Sequence, residues 1–338
     1  MKRFFIICLM LIVVILSACQ SECRHKEVVD LGIEATCQKE GITNGSHCSL
    51  CGEVLKKQEV IPPTANSFIN HYACDCGAYD KSSKITVLSQ NISCGNDGEG
   101  NNIVDRAPRF EKLVKKYIPD IMGTQEVTPT WIDYFKSYFG DEYGMVGCSW
   151  EGKNATTGEW GLILYRKDRF ELVDNGDFWL TPTPDVVSKI RGSECVRICT
   201  WAMLKDKVTG KTLVIANTHL DHLKNTVRNK QAGYLLDGIK DFIGKYPVFL
   251  TGDLNSLPGS KAYLILTEVF SDARTTALEG TEDTSCTYDN YGLEGTGYIY
   301  DYCMCDERSK ALSYKVINEP FDGYVSDHYG VLAEFIIK

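Results

Sequence analysis

The sequence has 338 residues, of which 43% are hydrophobic and 24% are charged, and its formal net charge is −9. This length is sufficient for a sizeable core, and the composition excludes a chain that is disordered throughout. The acidic balance disfavours the class of proteins that bind long nucleic acids tightly through many phosphates, because such proteins usually carry an excess of Lys and Arg.

The N-terminus has the pattern of an export signal. Lys2 and Arg3 precede an apolar stretch, residues 4–16, which is too short to cross a bilayer comfortably. The stretch leads into "LSAC", which resembles the lipobox of bacterial lipoproteins and ends at Cys19. We therefore expect residues 1–19 to be a lipoprotein signal peptide, with Cys19 lipidated and the mature chain anchored outside the cytoplasm to the bacterial cell membrane. An uncleaved anchor is the alternative.

Residues 20–80 are rich in metal-ligand side chains. Six of the 15 cysteines and three of the six histidines fall between Cys23 and Cys76. The segment resembles one copy of a Cys-rich module of bacterial surface proteins. Its C-x-x-C pair, Cys48 and Cys51, is typical of a zinc-ribbon turn. A Zn²⁺ site, a disulfide scaffold and unpaired thiols all remain open. The other candidate ligands are Cys23, His25, Cys37 and His47.

From Lys84 to Lys338 the pattern is that of a single α/β (α+β) domain. A proline-containing linker precedes it, and "KITVLSQNIS", "RFEKLVKKYIPD" and "IMGTQEV" predict a strand, a helix that stops at Pro119, and a second strand. A later helix is predicted over residues 226–243. Strands outnumber helices. The further predicted strands are "WGLILYRK", "VRICTWAML", "TLVIANTHL", "YPVFLTGDL", "SYKVIN" and "YGVLAEFII".

Polar side chains repeatedly follow these apolar strands. Carboxylates, amides and imidazoles at strand ends can converge on one cleft, because the strand bodies place them reproducibly. Carboxylate and amide oxygens suit Mg²⁺ or Mn²⁺, and imidazoles handle protons and charge. The set therefore indicates metal-assisted attack on a phosphoester. Its members are Asn91, Glu126, His219, Asp253, Asn255, Asp301, Asp327 and His328.

Five motifs carry a family resemblance. In chain order they are "SQNIS", "GTQEV", "NTHLDH", "LTGDLNS" and "VSDHYGV". They resemble the motifs of the endonuclease/exonuclease/phosphatase superfamily over residues 84–338. The resemblance implies the DNase I-like fold, a four-layer α/β sandwich of two mixed sheets with helices outside, preceded here by the small Cys-rich module.

The resemblance also implies metal and water-activating residues. Glu126 would be the principal ligand of Mg²⁺ or Mn²⁺, with Asn91 and Asp327 nearby. Asp253 would orient or deprotonate the attacking water, and Asn255 would hold the phosphate or the nucleophile.

The same resemblance assigns the imidazoles. His328, polarised by Asp301, would bind the scissile phosphate as a cation, and His219 would face the phosphate as a second imidazole. Glu159, in "GEWGLILYR", stands where nuclease members keep a carboxylate partner for that imidazole. Around Asp301 the chain departs from the family pattern, since "YDYCMC" stands where "IDYIF" is expected.

Several nearby residues have structural interpretations. Arg106 is predicted to be a salt-bridged residue at a helix start rather than a substrate contact. Asp221 and His222 are either loop residues or substrate contacts.

These observations predict a surface-tethered, Mg²⁺-dependent phosphoester hydrolase: a phosphodiesterase, nuclease or phosphatase. Its partners would be a phosphoester substrate (nucleic acid, nucleotide or lipid headgroup) and the membrane, and the chain would be a monomer. The alternative is a cell-surface binding protein that uses the Cys-rich module and retains an idle hydrolase scaffold. Motifs fix the reaction but leave the substrate open.

Overall fold

The computed structural model describes residues 23–36, 39–63, 80–98, 100–281, 283–293 and 297–338. The chain divides into two compact units, one ending at Asn66 and the other beginning at Ser67. The predicted signal peptide with Cys19, and also Cys37, lie outside the described residues. Within the described ranges, no helix has both the length and the apolar character needed to span a membrane.

The first unit is built from short strands. A three-stranded antiparallel sheet has the order β1-β3-β4, and β2 pairs with β5. Cys48 is the only apolar side chain buried among residues 23–36 and 39–63, so the described part of this unit has almost no hydrophobic core. The strands are β1 (Glu27–Asp30), β2 (Gly41–Ile42), β3 (Gly45–Cys48), β4 (Val54–Lys56) and β5 (Val60–Ile61).

The described part of the second unit has a 3-10 turn, Lys81–Ser83, near its start and contains two large sheets and five helices. Its strands are β6 (Ile85–Asn91), β7 (Ile121–Val127), β8 (Tyr143–Val146), β9 (Trp160–Arg166), β10 (Phe170–Trp179), β11 (Ile198–Asp206), β12 (Thr212–His219), β13 (Val248–Asp253), β14 (Ser271–Asp272), β15 (Asp301–Cys305), β16 (Ser309–Ile317) and β17 (Gly330–Ile337). Its helices are α1 (Ile103–Tyr117), α2 (Pro129–Phe139), α3 (Asn225–Ile239), α4 (Lys261–Thr267) and α5 (Ala273–Thr276).

The two six-stranded sheets pack against each other with helices on their outer faces. Their orders are β10-β11-β12-β13-β15-β14 and β16-β17-β6-β7-β9-β8. Apolar side chains fill the space between them, and the rings of Phe249 and Phe335 meet there at 5.0 Å. Leu235 of α3 packs on the outer face of the first sheet, and Phe110 of α1 and Trp131 of α2 cover the second. The predicted DNase I-like four-layer sandwich is therefore confirmed.

Helix boundaries differ modestly from the sequence prediction. The first helix ends at Tyr117, and Ile118 adopts a left-handed conformation ahead of Pro119. The later helix, predicted to reach Ile243, ends at Ile239. Apolar spacing continues past that point, but the backbone bonds there span three residues, as in turns, with Phe242 N–H donating to the Ile239 carbonyl. Hydrophobic periodicity alone does not distinguish such turns from a helix.

No strand was predicted from the sequence at β8, β10 or β14, and no helix at α2, α4 or α5. Apolar and polar residues alternate poorly along the edge strand β10, because its central residues face solvent. The strand β8 has only four residues, and α2 begins with a proline directly after β7. For β8, β10 and α2, the hydrophobic periodicity of the sequence is therefore weak.

A polar network joins the two sheets near the carboxyl ends of β7, β12 and β13. Gln125 Nε2 donates to Asn217 Oδ1 at 2.7 Å, and Thr251 Oγ1 donates to the same oxygen at 3.0 Å. Gly123 allows this close approach, because a Cβ at that position would lie 2.0 Å from Thr251 Oγ1. The network therefore fixes the spacing of the sheets one or two residues from Glu126 and Asp253.

Candidate active site

Strand register brings the predicted residues to one edge of each sheet. In the first sheet, His219 pairs with Asp253 and Asp253 pairs with Asp301, so three functional side chains lie on neighbouring strands. In the second sheet, Asn91 ends β6 and pairs with Gln125 of β7, next to Glu126. Parallel strands end, and antiparallel strands begin, at the same edge of a sheet.

Glu126 is held in an unusual backbone conformation. The ladder between β7 and β9 is irregular between Thr124 and Val127, and Glu126 has a φ of 60°. A non-glycine residue in this region is strained, and such strain is typical of functional sites. Burial would raise the pKa of Glu126, but hydrogen bonds from Asn91 and from the Cys94 N–H, together with the positive charge of His328, hold it below its ordinary value. Its carboxylate is therefore ionised at neutral pH.

Asn91 bridges two carboxylates through its amide nitrogen. Its Nδ2 donates to Glu126 Oε1 at 2.9 Å and to Asp253 Oδ2 at 3.1 Å, while its Oδ1 accepts from the Ser93 N–H. Because an amide N–H cannot bind a cation, this orientation differs from the predicted ligand role. In this structure Asn91 positions the two carboxylates.

Asp253 lies at the centre of the site. Its Oδ2 lies 3.4 Å from His219 Nε2 and 3.8 Å from His328 Nε2, and its Oδ1 accepts the Asn255 N–H at 2.8 Å. Burial, together with the negative charge of Asp301, raises the pKa of Asp253 to about 7. A carboxyl group with such a pKa can both lose and gain a proton near neutral pH.

His328 is held by a carboxylate behind its ring. Its Nδ1 lies 2.8 Å from Asp301 Oδ2, and both side chains are buried. Burial would lower the pKa of His328, but Asp301 and Asp253 outweigh it and raise the pKa to about 10. The imidazole is therefore a cation, and the Tyr288 ring contacts it edge-on at 4.9 Å.

The charge state of His219 differs from that of His328. Burial, reinforced by the charge of Arg197, lowers the pKa of His219 well below its ordinary value. Its Nε2 lies 3.0 Å from Asn255 Nδ2, which also donates to the Leu220 carbonyl. Asn255 itself has a φ of 46°. The predicted second imidazole is therefore present as a neutral ring.

Glu159 lies beside Glu126 rather than against His219. The donor atoms of Glu159, Glu126 and Cys94 all lie within 4.8 Å of one another, whereas His219 Nδ1 has no hydrogen-bond partner among the described residues. Burial and the charge of Glu126 raise the pKa of Glu159 to about 7. A cavity of about 20 Å³, large enough for one water molecule, touches Glu126, Glu159 and His219. The structure thus places no direct bond where we predicted a carboxylate–imidazole pair.

Asp327 and the other central residues open onto one cleft of about 340 Å³. Three of the lining residues were not predicted from the sequence: Arg197, Tyr288 and Tyr300. Arg197 precedes a strand without any motif around it, and the tyrosines occupy a loop that no periodic pattern describes. We define this carboxylate cleft by its lining residues, Glu126, Arg197, His219, His222, Asp253, Asn255, Tyr288, Tyr300, Asp327 and His328.

Two neighbouring side chains have structural roles. Arg106 is fully buried and donates to backbone carbonyls that include those of Ile92, Ser93 and Gly95. It therefore fixes the loop whose Cys94 N–H holds Glu126. This agrees with the structural role predicted for Arg106, although its partners are carbonyls and not a carboxylate.

Asp221 also belongs to the scaffold. It is buried, and its oxygens accept from Ser193 and from the N–H groups of Glu194, Leu223 and Lys224. Its neighbour His222 is exposed and lines the cleft.

Comparison with known proteins identifies the class that this fold and site define. The model of the endonuclease/exonuclease/phosphatase family matches residues 88–328, so the chain belongs to that family. The resemblance predicted from the five motifs is thereby confirmed. Members of the family are hydrolases that act on phosphoester bonds, and they generally use divalent metals.

Particular relatives agree with this assignment. An endonuclease/exonuclease/phosphatase from Bacteroides vulgatus is 30% identical with a TM-score of 0.70, over 75% of this chain and 99% of that chain. A Bacteroides thetaiotaomicron mannosyl-6-phosphatase is 27% identical with a TM-score of 0.68, over 75% of this chain and 100% of that chain. Protein angel of Drosophila melanogaster is 26% identical over an alignment of 263 residues, which covers 68% of this chain and 72% of that protein.

Proposed function

We propose that the carboxylate cleft is the active site of a Mg²⁺-dependent phosphoester hydrolase. One observation carries the proposal: ionisable groups from distant segments of the chain, Glu126, His219, Asp301 and His328, meet around Asp253. Its carboxylate contacts a neutral imidazole, a cationic imidazole and the amide that also holds Glu126. A binding protein with an idle scaffold has no need for this combination of charge states.

The donor set fits a hard divalent cation. Glu126 and Asp327 offer carboxylate oxygens in the same cleft, and Mg²⁺ or Mn²⁺ prefers such oxygens to nitrogen or sulfur. We propose Glu126 as the principal ligand and Asp327 as the second. A bound divalent cation would neutralise negative charge on the substrate phosphate.

Side chains of the protein would activate the attacking water and bind the phosphate. Asp253, with a pKa of about 7, takes a proton from the attacking water. His328 remains cationic and offers its Nε2–H to a phosphate oxygen, because Asp301 occupies the other ring nitrogen. Asn255, which donates to the neutral His219 here, can donate to the same phosphate or orient the water.

We propose small or exposed phosphoesters as substrates. The net charge of −9 opposes long polyanions, and a cleft of about 340 Å³ lies within the range of small-molecule sites. Arg197 provides positive charge, and the side chains of Tyr288 and Tyr300 add aromatic surface to the cleft for contact with a sugar or a base. The name of the similar mannosyl-6-phosphatase supports a sugar phosphate as one candidate.

The test compares hydrolysis of p-nitrophenyl phosphate and bis(p-nitrophenyl) phosphate, which separates monoesterase from diesterase activity. We expect Mg²⁺-dependent release of nitrophenol that chelator abolishes. Asp253→Asn should lower kcat/KM by roughly 10²- to 10⁴-fold, the usual contribution of a general base. The matched control is Asp174→Asn, because Asp174 is an exposed carboxylate on the edge strand β10. Equal loss in both variants would contradict the assignment.

We also propose that the mature chain is a monomer anchored by a lipid on Cys19 to the bacterial cell membrane, outside the cytoplasm. The lipobox-like "LSAC" supports the lipid anchor. Metabolic labelling with a fatty acid should mark the wild type in the membrane fraction. Cys19→Ser should abolish the label, and labelling that survives this substitution would disprove the anchor.

A further inference from the structure

Four potential metal ligands converge in the first unit, in a group that shares no residue with the carboxylate cleft. The donor atoms of Cys23, His25, Cys48 and Cys51 all lie within 4.8 Å of one another. The antiparallel register explains their approach, because Glu27 at the start of β1 pairs with Cys48 at the end of β3. Residues just before β1 therefore meet the turn just after β3.

The sulfur separation fits a metal better than a disulfide. Cys23 Sγ and Cys48 Sγ are 3.7 Å apart. A disulfide would require a separation of about 2.05 Å. Two thiolates bound to one tetrahedral Zn²⁺ at about 2.3 Å would lie about 3.8 Å apart. The cysteines of the described residues are all free thiols, those of this group included.

The turn that carries Cys48 and Cys51 has the features of a metal-binding knuckle. The Leu50 N–H points at Cys48 Sγ at 3.4 Å, an arrangement that stabilises a thiolate. Gly52 closes the turn, donating its N–H to the Cys48 carbonyl at 2.8 Å with a φ of 76°. A left-handed residue at this point favours glycine.

His25 is oriented as metal-bound histidines usually are. Its Nδ1 lies 3.5 Å from Cys51 Sγ, and its Nε2 lies 3.5 Å from Glu53 Oε2. A ligating imidazole generally gives its second N–H to a carboxylate, which fixes the ring and its tautomer. Glu53 provides that carboxylate.

The other predicted histidine is engaged elsewhere. His47 precedes Cys48 on β3, so its side chain points to the opposite face of the strand, and its Nδ1 lies 2.8 Å from Asp30 Oδ1. His47 is therefore excluded from the candidate zinc ligands that the sequence left open. Cys37, the remaining candidate, lies outside the described residues.

We propose that Cys23, His25, Cys48 and Cys51 bind one Zn²⁺ in a closed structural site. Three thiolates and one imidazole complete a tetrahedral shell, which leaves no position for a substrate. A metal site would stabilise this unit, which has little hydrophobic core: Leu31 and Ile33 are exposed, and Cys48 is the only buried apolar side chain among its described residues. Small domains with so little core are commonly held by a metal.

The experiment measures zinc in the full-length protein purified with excess Mg²⁺, which would compete with zinc for the proposed Mg²⁺ site of the carboxylate cleft. We expect about one equivalent of zinc per chain, as for a single four-ligand site. Replacement by Co²⁺ should give a thiolate-to-metal charge-transfer band and the visible bands of tetrahedral Co²⁺. Cys51→Ala and His25→Ala should each lose the metal or bind it at least tenfold more weakly. His47→Ala and Glu126→Gln are the matched controls and should retain it.

A second measurement uses only the wild type, so it does not depend on the variants folding. Cys23, Cys48 and Cys51 should resist alkylation until a chelator is added, as mass spectrometry of the labelled peptides would show. Cysteines that stay unlabelled after chelation but react after reduction would identify a disulfide and overturn the proposal. Loss of zinc in His47→Ala, or cobalt spectra without a thiolate band, would overturn the ligand set.

Discussion

Identical side-chain types have different charge states within a few ångströms in the carboxylate cleft. His328 is cationic because Asp301 lies behind its ring, whereas His219 is neutral because burial and Arg197 oppose its charge. Glu126 is ionised while the pKa of Asp253 is raised to about 7. Their neighbours, more than their own chemistry, set these states.

The His328–Asp301 pair predicts a pH-dependent stability. The pKa of His328 rises from its usual value of 6.5 to about 10 on folding, so the folded state retains a proton that the unfolded chain releases. The stabilisation should be fully present below pH 6.5 and lost as the pH rises through about 10. Urea denaturation of wild type and His328→Gln across this window measures it.

The difference in unfolding free energy between those two proteins should shrink as the pH increases. His222→Gln is the control, because His222 is an exposed imidazole of the same cleft. A difference that is constant with pH would mean that His328 does not hold an extra proton in the folded state.

Arg106→Met tests the loop that holds Glu126. Removing the guanidinium takes the side-chain donor from the buried Ile92 carbonyl and leaves the Ser93 carbonyl with Trp131 Nε1–H alone, so we expect the free energy of unfolding to fall by about 3 kcal/mol. We also expect kcat/KM to fall, because the Cys94 N–H would no longer be fixed. Arg109→Met, a partly buried control, should cost about 1 kcal/mol or less. Chemical denaturation and steady-state kinetics provide the two readouts.

At the scale of elements, the sequence predicted where strands end but not how they pair. Apolar runs that stop at Asn91, Asp253 or His219 can be recognised in the amino-acid sequence alone. The register that aligns His219 with Asp253 and Asp301 depends on contacts between distant segments. For the same reason the sequence did not show that Glu159 lies beside Glu126, or that Arg197 belongs to the cleft.

Gly123→Ala tests the close packing of β7 against β13. An added Cβ would lie 2.0 Å from Thr251 Oγ1, so one sheet must shift. We expect a loss of about 1–3 kcal/mol of stability and a loss of activity, because β7 carries Glu126. Gly233→Ala is the control: its Cβ in α3 would meet nothing within 4 Å.

That control should leave activity unchanged and should stabilise the protein by up to about 1 kcal/mol, as expected for alanine in a helix. Thermal denaturation and kinetics distinguish the two variants. Full activity in Gly123→Ala would show that sheet spacing does not determine the site.

At the scale of the whole molecule, an acidic chain concentrates several carboxylates in one cleft. Glu126, Asp253 and Asp327 line it, and burial raises the pKa of Asp327. A divalent cation would reduce the electrostatic repulsion between these carboxylates. A ligand that binds only the folded state stabilises that state. The net charge of −9 alone gave no indication of where these carboxylates gather.

Mg²⁺ should therefore raise the melting temperature. At a concentration about 100 times its Kd the expected stabilisation is about 2.7 kcal/mol, or roughly 5–10 °C for a domain of this size. Glu126→Gln should abolish most of the shift. Glu171→Gln, which changes an exposed carboxylate of β10, should keep it. Differential scanning fluorimetry with and without chelator measures the effect, and an equal shift in both variants would place the cation elsewhere.

The most direct test of the central claim is Mg²⁺-dependent turnover across a substrate panel, measured for wild type and Asp253→Asn. The panel comprises plasmid DNA, RNA, a phosphoinositide, sphingomyelin, a nucleotide monophosphate and mannose 6-phosphate. We predict hydrolysis of one substrate class that is lost with chelator and with Asp253→Asn. Hydrolysis that Asp253→Asn leaves unchanged, or no hydrolysis of any substrate by a folded, Mg²⁺-stabilised protein, would contradict the proposed function.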